Sequence, residues 1–142
     1  MNIAKRIATL KTIAEDLEPC GNARLAAMIL FKNKMVSIGV NQYKTHPFAA
    51  KYSKNPDAIY LHAEAAAILS AKKKLTDQQL RKSTLIICRV KNILHGRKYV
   101  QMYGTAKPCS GCEQCIKEHG IEKLIYTVEC AADKLKYMTE VS

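Results

Sequence analysis

Apolar residues at Ile3, Ile7, Leu10, Ala14 and Leu17 recur at helical spacing, and Pro19, Gly21 and Asn22 follow as stop signals. The chain therefore opens on an amphipathic helix. Arg24 to Phe31 is short and almost continuously apolar, Asn33-Lys34 marks a tight turn, and Met35 to Tyr43 alternates and is rich in Val and Ile. That pattern predicts an antiparallel hairpin. Lys44 to Leu61 has two prolines, three lysines and no period, so it reads as a long loop, and loops of this length tend to carry function.

Strong helix formers fill His62 to Lys74, with Lys72, Lys73 and Lys74 at the end where cations complement the helix dipole. Ser83 to Val90 has the look of a buried strand. Lys91 to Gly104 contains a turn at His95-Gly96 followed by a Tyr-Val-Gln-Met-Tyr alternation, which extends that strand into a second hairpin. A helix can start at Cys109, directly after Pro108, and run to Glu118. Lys123 to Val128 is a further strand, and the tail has helical character around Ala131 to Met138. The order helix, strand, strand, helix, strand, helix, strand implies an α/β protein with a mixed sheet flanked by helices.

A chain of 142 residues can bury one core and not two, so residues 1–142 are expected to form a single domain. Nearly half the residues are apolar, which argues for a globular chain and against disorder. Charges at Lys5, Arg6, Lys11, Glu15 and Asp16 break up what would be the apolar region of a signal peptide, and no other stretch approaches a membrane span. The expectation is a cytoplasmic protein whose six cysteines serve as thiols or metal ligands and not as a disulfide framework.

The formal charge of +11 is unevenly placed: Ala65 to Cys112 holds ten Lys and Arg against the single acid Asp77, whereas Glu113 to Ser142 holds four against six. A basic middle suits an anionic partner, either a free nucleotide or a nucleic-acid strand; its plainer meaning is a solvated surface that keeps the protein soluble.

Two ligand clusters carry the chemistry. His62-Ala63-Glu64 opens one helix and Pro108-Cys109-Ser110-Gly111-Cys112 opens another, and the element order brings both helix N-termini to the same end of the sheet. One His and two Cys leave a fourth position open on a tetrahedral Zn2+ ion, the arrangement of a catalytic site, whereas a structural site takes a fourth protein ligand. Thiolates would blunt the ion's acidity, but at a helix N-terminus backbone N–H groups and the dipole draw off part of their charge. Zinc can then acidify a bound water near neutral pH. Glu64, two residues after the His and not itself a ligand, is placed to accept the water's proton and pass it on.

His-x-Glu followed by Pro-Cys-x-x-Cys is the general signature of zinc deaminases acting on nucleobases. With Gly39-Val40-Asn41 at the end of the second strand and Ile121 to Tyr126 leading into the fourth, the chain resembles the cytidine/deoxycytidylate deaminase superfamily over most of its length. The resemblance implies a three-layer α-β-α fold around a mixed sheet of about five strands and a homo-oligomeric assembly. It also implies that His62, Cys109 and Cys112 hold Zn2+, that Glu64 is the catalytic proton carrier, and that Asn41, Ala63 and Ser110 contact the substrate: Asn41 at the sugar, the Ala63 and Ser110 backbones at the base and its leaving amine. The implied reaction converts a cytosine nucleotide or nucleoside, above all deoxycytidylate, to the uracil form with release of ammonia.

Departures from the family bear on the substrate. Gly39-Val40-Asn41-Gln42 stands where deoxycytidylate deaminases have Gly-Tyr-Asn-Gly, and the stretch from Lys91 to Lys107 separates the third strand from the Pro-Cys-x-x-Cys motif more widely than usual. The alternative is a deaminase of cytosine or adenine within single-stranded DNA or RNA, including transfer RNA. Nine aromatic residues and no Trp make a poor stacking platform for a strand, and Ser-Gly between the cysteines differs from the Met that transfer-RNA adenosine deaminases place before the second Cys. A zinc-binding interaction module without activity is the third reading, and the unliganded Glu64 speaks against it.

Other polar residues have structural readings. Cys115 lacks the fourth cysteine and following proline of an iron–sulfur run and is expected to be a packed thiol. Cys20, Cys88 and Cys130 read as core or surface thiols. His95 and His119 read as structural or solvated. Lys44, His46, Lys51 and Tyr52 sit in the long loop that runs past the pocket, within reach of a phosphate or base. Tyr126, an aromatic in a buried strand, reads as core.

Overall fold

The computed structural model describes residues 2–17, 24–41 and 62–141. Helix α1 (Ile3–Glu15) is capped by Asn2, whose side chain accepts from the Lys5 N–H at 3.1 Å. Its apolar stripe, Ile7, Leu10 and Ala14, is buried against Ala26, Met28 and Leu30 of strand β1 (Arg24–Phe31) and against Ile86, Cys88 and Val90 of β3 (Thr84–His95). The opposite face of the same strands, with Ala27, Ile29, Leu85 and Ile87, packs on helices α2 (Ala63–Ala71) and α4 (Ser110–Glu118). Alternation along each strand thus feeds an apolar layer on each face of the one sheet, and the three-layer α-β-α expectation holds.

Strand β2 (Lys34–Val40) pairs antiparallel with β1 through a turn whose central residues, Lys32 and Asn33, both have positive φ (51° and 64°). A two-residue turn matching the twist of its strands requires that backbone, so the turn falls one residue before Asn33-Lys34. A short helix α3 (Asp77–Arg81), absent from the sequence reading, is held by a capping box in which Thr76 and Gln79 satisfy each other's backbone N–H.

On its other side β3 has two successive partners. Residues Thr84 to Ile87 pair parallel with β5 (Lys123–Thr127), and Arg89 to His95 pair antiparallel with β4 (Lys98–Gly104). The β3–β4 hairpin predicted around His95-Gly96 is present, with Gly96 at φ 67°. Beyond the pair of Lys91 and Met102 no other strand among the described residues lies beside it, and Ile93, Leu94, Tyr99 and Val100 are exposed.

The tail departs from expectation. Instead of a helix around Ala131 to Met138, it forms β6 (Cys130–Ala131) beside β4 and β7 (Tyr137–Val141) antiparallel to β5. A bare β5 edge would leave a row of backbone groups unpaired, and the tail covers it. Among the described residues the sheet therefore has seven strands where about five were expected.

Among the described residues no helix is long and apolar enough to cross a membrane. The loop expected from Lys44 to Leu61, with Lys44, His46, Lys51 and Tyr52, lies outside the described residues, as does Cys20.

Candidate metal centre and active site

The sheet register sets where the two motifs meet. Val40 pairs with Ala26 and Ala26 with Cys88, while Ile87 pairs with Tyr126, so the carboxyl ends of β2, the core part of β3 and β5 lie along one edge. Helices α2 and α4 both start at that edge, where open α/β sheets hold their ligands.

Helix α2 is mostly alanine because it lies almost directly on β2. A Cβ built on Gly39 would stand 2.3 Å from the Ala67 nitrogen and 2.4 Å from the Ala63 oxygen, distances no side chain tolerates. Ser37 Oγ donates to the Ala67 carbonyl at 2.7 Å and Lys74 Nζ to the Val36 carbonyl at 2.9 Å, stitching helix to strand at two further points. Seven of the nine α2 residues are buried, Glu64 among them.

Each motif begins on an N-cap. His62 (φ −73°, ψ 155°) and Cys109 (φ −67°, ψ 169°) are extended residues at the helix entrances. Cys109 Sγ also accepts the Cys112 N–H at 3.5 Å, the usual work of a capping oxygen. His62 Nδ1 lies 3.1 Å from Cys112 Sγ and 3.8 Å from Cys109 Sγ, and one donor atom from each of the three residues falls within 4.8 Å of the others. Nitrogen and sulfur ligands on one tetrahedral zinc ion stand about 3.6 Å apart, so the observed separations bracket that value and need only shifts of a few tenths of an ångström to hold the ion. A soft, borderline N/S₂ donor set selects zinc over magnesium or calcium. Zinc is the cofactor these residues suit.

The Cys112 thiol, followed by His62, hydrogen bonds to Cys109 and holds its thiol at about 3, while the shared hydrogen bond from Cys109 and burial push Cys112 up. His62 is raised, chiefly by its bond to Cys109. Glu64 is raised by burial, opposed by backbone hydrogen bonding and by the His62 charge. A buried carboxyl held above its ordinary range suits a group that must both take and give a proton.

Reactivity follows exposure. After zinc is chelated, iodoacetamide is expected to label Cys109 before Cys88, Cys112, Cys115 or Cys130, because Cys109 is exposed and the other four are buried. Burial also pushes Cys88 up to about 12, leaving it almost wholly as thiol at neutral pH. Zinc-loaded protein should resist labelling at Cys109, and peptide mass spectrometry over a time course reads both outcomes.

Asn41 follows β2 directly. Its Oδ1 accepts the Leu25 N–H at 2.8 Å and its own N–H donates to the Leu25 carbonyl at 3.2 Å, so it closes the β1–β2 pairing at the site's edge. Ala63 and Ser110 occupy the first helical positions of α2 and α4, beside the ligands. Tyr126 is core, its hydroxyl donating to Glu140 at 2.9 Å. Cys115 is a buried thiol on the inner face of α4, and Cys88 and Cys130 are buried beneath α1. His119 caps the end of α4, its Nδ1 2.7 Å from the Cys115 carbonyl oxygen. Gly39 went unread in the sequence except as part of a motif, although a glycine inside a strand is itself a sign of close backbone approach.

A three-layer α-β-α sheet, an N/S₂ zinc centre at two helix N-termini and a buried carboxyl beside it define a zinc-dependent hydrolytic enzyme. The family model for the cytidine and deoxycytidylate deaminase zinc-binding region matches residues 2–128, and the chain belongs to that family as a zinc-dependent deaminase. No curated protein sequence matches it.

Solved structures share the fold. Cytidine deaminase from Burkholderia pseudomallei superposes with a TM-score of 0.61 at 18% identity, over 98% of this chain and 93% of that one. The deoxycytidylate (dCMP) deaminase of cyanophage S-TIM5 in its apo form gives 0.57 at 17% identity, over 87% and 80%. The same cyanophage enzyme in complex with dCMP and dUMP gives 0.53 at 18%, over 87% and 78%.

Proposed function

We propose that this protein deaminates the cytosine of a free pyrimidine nucleotide, above all deoxycytidylate, to the uracil form. The observation that carries the reading is the convergence of His62, Cys109, Cys112 and the buried, non-ligating Glu64 where α2 and α4 begin. When bound by His62, Cys109 and Cys112, zinc supplies Lewis acidity that makes water nucleophilic at neutral pH. Glu64 takes a proton from the attacking water and delivers it to the ring nitrogen, then carries the second to the departing amine. One water is consumed, one ammonia leaves, and the carboxylate ends as it began. The Ala63 and Ser110 backbones border the centre and are assigned to the base and its leaving amine, and Asn41, held at the end of β2, to the sugar.

The choice of a nucleotide rests on the basic middle of the chain and on the likeness to an enzyme captured with dCMP and dUMP. A second reading, a base within a single strand, draws on one feature: the β3–β4 hairpin exposes Tyr99 to 75% beside Arg97 and Lys98, an aromatic among cations of the kind that stacks a base.

Zinc-loaded protein offered cytidine, deoxycytidine, their mono- and triphosphates and cytosine- or adenine-containing single strands decides between them. Ammonia release from deoxycytidylate with none from oligonucleotides is the expected result. Turnover confined to oligonucleotides overturns the nucleotide reading and leaves the zinc chemistry standing.

A further inference from the structure

The joint at which β3 changes partner from β5 to β4 closes around one side chain, Thr127, which is fully buried. Arg89 and Gly104 are register partners across β3 and β4. The Thr127 hydroxyl sits between their backbones: it accepts the Arg89 N–H at 3.1 Å and donates to the Gly104 carbonyl at 2.8 Å. The Thr127 carbonyl in turn accepts the Ala106 N–H at 2.9 Å, and the Thr105 hydroxyl accepts the Glu129 N–H at 3.1 Å.

From Ala106, buried at 2% exposure, three residues reach Cys109, so whatever fixes Ala106 fixes the start of α4 to within a short tether. One threonine therefore joins three strands and anchors the segment that delivers both zinc-binding thiols. A hydroxyl is needed because the joint presents one donor and one acceptor, which a single O–H can satisfy together. Valine fills the same space and satisfies neither.

We infer that Thr127 is a positioning residue of the zinc centre, setting the place of Cys109 and Cys112 through its hydrogen bonds to Arg89, Gly104 and Ala106. The inference rests on Cys109 and Cys112 being ligands.

Zinc affinity by chelator competition, with the thiolate-to-metal absorption of the Co(II)-substituted protein, tests it on the full chain. Groups bonded directly to metal ligands are worth about 10–100-fold in metal affinity, and Thr127 acts a short tether further out, so Thr127→Val should weaken zinc binding by about the lower end of that range and alter the Co(II) spectrum. Thr127→Ser, which keeps the hydroxyl, should stay within about twofold of the parent, and Thr127→Cys, a weak donor of similar size, should fall between. Ile7→Val, a mild core change on the opposite face of the sheet, should leave affinity and spectrum unchanged.

Equal affinity and identical Co(II) spectra for the Ser and Cys variants overturn the inference even if the Val variant fails to fold. So does a loss in Ile7→Val matching that in Thr127→Val. Cys112→Ser separates the two levels: if it keeps zinc at parental affinity, the ligand assignment has failed, and if it loses zinc while the Thr127 series is flat, only the role of Thr127 has failed.

Discussion

Glu64→Gln is expected to retain zinc and lose turnover. Gln matches Glu in size and fits a site that is 5% exposed, so the fold and the three donors should be undisturbed. The amide can neither take the proton from water nor release one to the ring, and general acid–base catalysis of this kind contributes about 10²–10⁴-fold per transfer. Because the proposed reaction gives this one carboxyl successive transfers, the loss should sit at or beyond the upper end. Ammonia release under saturating substrate gives kcat, and metal analysis of the same sample gives the zinc content. A variant that loses zinc along with activity would show that Glu64 helps hold the metal, and the division of labour between it and His62, Cys109 and Cys112 would be wrong.

Gly39→Ala should do more damage than its single methyl suggests. The added carbon would meet backbone atoms of α2 at 2.3 and 2.4 Å and the Ala66 methyl at 2.8 Å, and none of these is the free end of a flexible side chain. Relief requires α2 to move bodily off β2. Overpacking a core costs about 1–3 kcal/mol even where side chains can yield, so about 3 kcal/mol is expected where only backbone can. At ~3 °C of melting temperature per kcal/mol for a chain of this size, the shift should approach 10 °C. Since α2 carries His62 at its N-cap and Glu64 in its first turn, zinc affinity and turnover should fall with stability. Thermal unfolding with and without added zinc, alongside metal content, checks the outcome; a variant with parental melting temperature and full zinc would mean that α2 does not sit as close to β2 as described. Ser37→Ala removes one hydrogen bond from the same contact and adds no bulk, and it should be far milder.

The elements most legible in the sequence were those whose burial is one-sided or complete. Ile7, Leu10 and Ala14 mark a stripe because α1 covers one face of the sheet and meets solvent on the other. Arg24 to Phe31 reads as a continuous apolar run because β1 is a central strand with a core on each side. Where burial is partial the pattern misled. Tyr137 to Val141 is exposed throughout and forms a strand only because β5 offers it an unpaired edge. Its apolar residues therefore carry no period that distinguishes strand from helix. Helix α3 has five residues, too few to show a stripe, and its one sequence sign, Thr76 with Gln79 three residues on, is a local capping pattern easily passed over.

The chemistry of the centre was present in the sequence by itself. His62, Cys109 and Cys112 declare a zinc-binding donor set, and Glu64 beside them is the proton carrier of the proposed reaction, because ligand chemistry depends on residue type and local spacing, and both motifs are local. Tertiary structure decided whether the two halves meet. His62 and Cys109 lie 47 positions apart, and only the pairing of β2 with β1, β1 with β3 and β3 with β5 brings their helices to one edge. It also decided two residues with no chemistry of their own: Gly39, whose missing side chain lets α2 rest on β2, and Thr127, whose hydroxyl fills a joint that exists only once three strands have assembled. Both act through space on backbone atoms distant in sequence, and a contact of that kind leaves no periodicity or spacing along the chain from which to read it.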